Sequence, residues 1–153
     1  MLNFLSPSKS KLQESIAEYS FLKDLLVDGV KNGMEIILAR SDFDAFGFDI
    51  LAQIKGDERM YKIQLKAFHG KVTSWDIHKS LIQDDYGTVI IIKLYENEDN
   101  IDFEYRILDN EKREIVISRP PKKSHIKKCK LLIGDLVVIE KNELVTSIFG
   151  GCI

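Results

Sequence analysis

The sequence predicts a mixed α/β domain: a central mixed β-sheet flanked by helices, with extra strands and a short helix toward the C-terminus. Three observations carry this. "KLQESIAEYSFLKDLLVDGV" places Leu12, Ile16, Tyr19, Leu22, Leu26 and Val30 at spacings of three and four, the period of a helix with one apolar stripe. "GFDILAQIKGDERMYKIQLKAF" alternates apolar and polar residues on either side of Gly56-Asp57, as two strands of a hairpin do. "TVIIIKLY" is an almost unbroken apolar run, expected of a strand covered on both faces.

The remaining elements follow in chain order. Ser8 or Ser10 can cap the first helix, and Gly29 with Asn32-Gly33 supplies its stop. "MEIILAR" reads as the first strand and "SDFDAFG" as a polar turn. In the hairpin's second strand Ile63, Leu65 and Ala67 share one face, and Lys62, Gln64 and Lys66 the other. Ser74 can cap a short helix over "WDIHKSLIQDD", with Trp75, His78, Leu81 and Ile82 on one side and Trp75 assigned to the core. "IDFEYRIL" and "REIVIS" read as a further antiparallel pair joined at Asp109-Asn110. "RPPKKSHIKKCK" is a proline-broken basic loop. "LLIGDLVVIE" reads as a strand that bends at Gly134, and a short helix runs from Asn142 to Gly150-Gly151.

At 153 residues, with 44% hydrophobic and 30% charged side chains, the chain predicts a single domain over 1–153 with a real core. No apolar run reaches the roughly 20 residues of a membrane span, and the N-terminus lacks the order of a signal peptide. Cys129 and Cys152 show no metal-ligand spacing, so reduced thiols in the cytoplasm are expected. A formal net charge of −2 excludes a surface that is basic throughout, though not a local basic groove. His69, His78 and His125 lack zinc-site spacing. Neither a Gly-rich phosphate loop nor a nucleophile elbow is present.

One polar constellation remains. Asp49 stands at the start of the second strand, and Gln64-Leu65-Lys66 follows on the third. Adjacent antiparallel strands place cross-strand side chains about 5 Å apart, which brings Asp49 near Gln64 and Lys66. An acid, an amide oxygen and a lysine at one spot suit phosphodiester cleavage. Oxygen donors hold a hard cation such as Mg²⁺, the cation lowers the pKa of a bound water, and a lysine offsets charge in the transition state. On its own, a strand lysine such as Lys66 is most often a solvated edge residue.

These residues resemble the signature of the PD-(D/E)xK nuclease superfamily: an acid on strand two, then Glu or Gln, any residue, and Lys on strand three. No proline precedes Asp49, and Gln64 stands where a carboxylate is more common. In "AEYSFLKDLLVDG" the spacing from Glu18 to Leu25-Leu26 and Gly29 resembles the helix motif of uncharacterised bacterial members, with Glu14 the weaker candidate one turn away. The resemblance covers roughly residues 10 to 95. It implies a restriction-endonuclease-like core and a DNA endonuclease activity dependent on Mg²⁺ or Mn²⁺. Asp49, Gln64, the Leu65 carbonyl and Glu18 would be the metal ligands, and Lys66 the assistant to the attacking water. The alternative is a catalytically inactive module of the same fold that binds nucleic acid or a protein partner.

Around this core, Lys122, Lys123, Lys127 and Lys128 in the basic stretch, which also holds Arg119 and Lys130, are the expected nucleic-acid contacts. Lys9 and Lys11 can serve similarly. Against this stands the reading of the stretch as a solvated loop. Asp42 and Asp44 read as turn caps first and extra ligands second. Cutting both strands of a duplex would favour a symmetric homodimer.

Overall fold

The computed structural model describes residues 4–41, 47–123 and 125–150. Asp42, Asp44 and Cys152 lie outside the described residues. The mixed α/β order expected from the sequence, a helix and three strands and later a helix and a central strand, is present. Helix α1 (Ser10–Lys31) leads into strands β1 (Ile36–Arg40), β2 (Ile50–Ile54) and β3 (Tyr61–Phe68). Then come β4 (Ser74–His78), α2 (Lys79–Gln83), β5 (Gly87–Asn97) and β6 (Asn100–Leu108). The chain closes with α3 (Arg113–Ser118), β7 (Lys128–Leu132), β8 (Leu136–Ile139) and α4 (Leu144–Phe149). Among the described residues one sheet has the order β1-β2-β3-β5-β6-β8, and β4 pairs with β7 in a separate ribbon. Only β3 and β5 are parallel, joined by the crossover through β4 and α2. No described helix is long and apolar enough to cross a membrane.

The sheet is covered on both faces. Alternation decides which residue goes where: Ile63, Ile90 and Ile92 face α1 and α4, whereas Val89 and Ile91 face α2, α3 and the ribbon. Thus Ile90, Ile91, Ile92 and Leu94 are all buried, as expected of a central strand.

Helix α1 buries a line offset from its apolar stripe, of which Ile16 and Leu22 pack against the core. Gln13, Ala17, Phe21, Leu25, Asp28 and Gly29 face the sheet, while Leu12, Tyr19, Leu26 and Val30 are exposed. The buried line includes polar groups because each has a partner. Gln13 donates to the carbonyls of Phe4 and Ser6, and the Asp28 carboxylate accepts from the Val145 amide at the start of α4. Gly29 lies inside the helix, where a Cβ would come within 2.7 Å of Ile36. It permits close approach; the stop comes at Asn32 and at Gly33, whose φ is +71°. Neither Ser8 nor Ser10 caps: Pro7–Lys9 forms a 3-10 turn, and α1 starts without a side-chain cap.

Three further expectations are corrected. Ser74–His78 is a strand, because Trp75 and Ile77 alternate inward against Cys129 and Leu131 of β7. "REIVIS" is helical. Asp109 accepts from the Glu111 amide to start a turn, and Arg113 is pinned to the carbonyls of Ile82 and Gly87. The free edge of β6 is taken by β8 instead. "LLIGDLVVIE" is split between two sheets at a 3-10 turn, where buried Asp135 accepts from the Leu132 amide and pairs with Arg119.

Candidate active site

The β2–β3 ladder ends where the candidate site begins. Ile50 pairs with Ile63, and the Asp49 amide donates to that same Ile63 carbonyl at 2.9 Å. Beyond this point β3 continues to Phe68, but β2 no longer serves its edge. The Asp49 side chain replaces the ladder for one rung: its Oδ2 accepts the Leu65 amide at 2.8 Å. That bond fixes one carboxylate oxygen against the backbone of the residue between Gln64 and Lys66.

A cleft of about 460 Å³ opens at this strand end. Asp49, Gln64, Leu65 and Lys66 line it from the sheet, Glu14 and Glu18 from α1, and Arg40 and Ser41 from the end of β1. The sequence-derived set Asp49, Gln64, Leu65, Lys66 and Glu18 therefore shares one concave surface. Lys66 lines the cleft on the stretch of β3 that β2 no longer pairs. Its neighbour Lys62, on the same strand face, is bound to Asp84 at 2.5 Å.

Within the cleft, Gln64 Oε1 is buried and finds no hydrogen-bond partner among the described residues. A buried acceptor of this kind destabilises the fold by about 1–3 kcal/mol unless a donor or cation meets it. Glu18 is differently placed: its Oε1 lies 3.4 Å from Arg40 Nη2, and the Arg40 guanidinium stacks over Tyr19 at 5.2 Å. Arg40 is a cleft residue that no local pattern marks, since an ion pair between a helix and a distant strand leaves none.

Among the described residues no group of three Asp, Glu, His or Cys side chains stands at metal-binding spacing. The residues lining the cleft offer oxygen donors of mixed kind: the Asp49 carboxylate, the Gln64 amide oxygen and the Leu65 carbonyl. Hard cations accept such sets. The donor chemistry and the unpartnered Gln64 oxygen therefore fit a divalent ion.

The basic stretch does not act as a unit. Arg119 is committed to Asp135, so it is structural. The amides of Lys122 and Lys123 both donate to the Asp76 carboxylate, which holds the loop to β4 with those side chains exposed. Lys128 pairs in register with His78 across the ribbon. His78 is less basic than an ordinary histidine, first from burial and then from the charges of Lys128, His125, Lys127 and Lys66. Lys66 and the Lys127–Lys128 end of the stretch thus act on one imidazole. Cys129 is buried and unpaired by disulfide, and burial pushes its thiol pKa up. Trp75 packs edge-on to Phe68 in the core, as expected.

No protein-family model matches the chain, and no curated protein matches it. Among solved structures, a similar one is Hjc of Archaeoglobus fulgidus, a Holliday junction resolvase from an archaeal hyperthermophile. Identity is 16% and the TM-score 0.38, covering 80% of this chain and 98% of that one. Likeness at that level carries nothing about activity, which has to be argued from this chain's own residues.

Proposed function

We propose that the chain, as one nuclease-like domain over 1–153, is a metal-dependent phosphodiesterase acting on nucleic acid, in the first instance a DNA endonuclease. The observation that carries this is Gln64 Oε1: a buried acceptor without a donor, in the cleft that also holds Asp49 and Lys66. Asp49, Gln64 and the Leu65 carbonyl would hold Mg²⁺ or Mn²⁺, with Glu18 at the margin through the oxygen not turned to Arg40. A bound ion would polarise the phosphoryl oxygen and lower the pKa of its water. The chain's own part is positional and electrostatic. The Leu65 amide holds the Asp49 carboxylate in place, and Lys66 orients the water and offsets the charge that builds on the phosphoryl oxygens.

A second reading is a module of this fold that binds nucleic acid or a protein partner without cutting. The sparse carboxylates favour it: among the described residues no three acids stand at metal-binding spacing, and Arg40 competes for Glu18.

The test is Mg²⁺- or Mn²⁺-dependent nicking of plasmid, single-stranded DNA and RNA, with thermal melting as the folding control. Lys66→Ala should lower the rate about a hundredfold to a thousandfold without moving the melting temperature. Asp49→Asn should abolish both cleavage and the metal-induced rise in melting. Activity that survives both substitutions would refute the site. A wild type that neither cuts nor shifts with metal would favour the non-cutting module.

A further inference from the structure

The β4–β7 ribbon presents a polar face that the proposed chemistry does not use. Trp75 and Ile77 point inward with Leu131 and Cys129, so Asp76 and His78 take the other face, opposite Lys130 and Lys128. His78 and Lys128 are register partners, hence about 5 Å apart at Cβ. The ladder continues one step beyond them, the Lys79 amide donating to the Lys127 carbonyl at 2.9 Å, which fixes the end of the basic loop. The His125 ring lies 6.5 Å from that of His78, centroid to centroid. Its Nδ1 accepts the Lys127 amide at 3.2 Å, so Nε2 carries the proton and is a donor facing outward.

His78 also touches the chain that leads into the cleft. A Cβ on Gly47 would fall 2.5–2.6 Å from His78 atoms, and Gly47 has φ +76°, which a side chain rarely adopts. Two residues later comes Asp49. The imidazole thus joins the basic ribbon to the segment that carries the candidate acid, with Lys66 close enough to act on it. The one carboxylate on this face, Asp76, is already engaged by the amides of Lys122 and Lys123 and stands opposite Lys130. What remains around His78 is Lys66, His125, Lys127 and Lys128: donors and cations from two directions.

We propose that His78, Lys128, His125 and Lys127 form a phosphate ledge that positions a nucleic-acid backbone against the Lys66 end of the cleft. The choice of a phosphodiester ligand rests on the function proposed above. His78 acts as a positioning residue: it contacts a phosphate next to the scissile one and takes no part in bond breaking. A backbone phosphate supplies an anion that no described residue of this cluster provides, and its charge would favour a proton on His78.

The experiment uses the full chain with a short labelled DNA duplex and its single strand, with Ca²⁺ in place of Mg²⁺ so that cleavage does not intrude. Lys128→Gln should weaken binding of any sequence and flatten the salt dependence by about one unit of slope. His78→Gln should weaken binding several-fold. Lys122→Gln, at the far end of the loop, should do less than either. NMR of the His78 ring supplies a readout that a merely structural residue would not give: its titration should move to higher pH when oligonucleotide binds. Binding with an unchanged His78 titration, or with salt slopes equal in wild type and Lys128→Gln, overturns the ledge and leaves the nuclease reading standing. Binding and the His78 shift without cleavage under Mg²⁺ or Mn²⁺ sinks the nuclease reading alone. No binding by the wild type sinks the ledge.

Discussion

Gln64 is where binding and stability pull in opposite directions. Its unpartnered, buried Oε1 is a stability cost in the metal-free chain. Gln64→Met keeps the length and removes the polar atom, so the metal-free protein should gain about 1 kcal/mol. The same substitution should erase any melting shift with Mg²⁺. Gln64→Glu should do the reverse: a buried carboxylate oxygen without a donor lowers the melting temperature in chelator, and divalent cation more than restores it. Thermal melting of the two variants, with chelator and with Mg²⁺, checks both. If Gln64→Met melts below wild type in chelator, Oε1 has a partner after all and the ligand argument fails.

The elements show what could be read in the chain and what could not. The hairpin and the central strand were legible because each depends on local alternation, and one cross-strand step sets Asp49, Gln64 and Lys66 along the same cleft. What was missed depends on partners far away in sequence. Asp76 and His78 belong to a strand only because β7, some fifty residues later, pairs with it. Ile115-Val116-Ile117 has the composition of a strand, yet the turn started by Asp109 and the anchoring of Arg113 make it helical. On α1, apolar counting selected a stripe of which only Ile16 and Leu22 pack against the core, because the buried line includes Gln13, Asp28 and Gly29. A glycine supplies the test at this scale. A Cβ on Gly87 would come within 2.1 Å of the Leu81 carbonyl oxygen, which is backbone and has little room to move. Gly87→Ala should therefore push α2 off the start of β5 and cost about 3 kcal/mol. Urea denaturation measures this, and a loss below the error of the extrapolation would show that α2 yields freely.

At the scale of the whole molecule, the excess of acidic groups is balanced by specific partners, which ties stability to pH. Burial pushes the carboxyls of Asp76, Asp84, Glu104 and Asp135 up, and in each the opposing contacts win and hold the pKa below its ordinary value. Those contacts are the amides of Lys122 and Lys123 for Asp76, Lys62 for Asp84, Arg106 and Tyr95 for Glu104, and Arg119 for Asp135. A carboxyl with a depressed folded pKa stabilises the fold fully above its unfolded value, about 4, and loses that contribution as pH falls through the folded value. His78 adds a smaller loss at milder acidity: its folded pKa is also lowered, so the unfolded chain binds its proton first as pH drops below about 6.5. The melting temperature should thus be level between about pH 7 and 8, decline slightly between about pH 6.5 and 5, and fall steeply below about pH 4. Of these four carboxyls Asp135 is the most enclosed, with its side chain 4% exposed. Asp135→Asn leaves Arg119 without its charge partner and should cost about 3 kcal/mol at neutral pH. It should also make the acid limb shallower, because one of the four protons taken up on unfolding is gone. A melting curve of the variant that runs parallel to wild type down to pH 3 would mean that the Arg119–Asp135 pair contributes nothing to the acid limb.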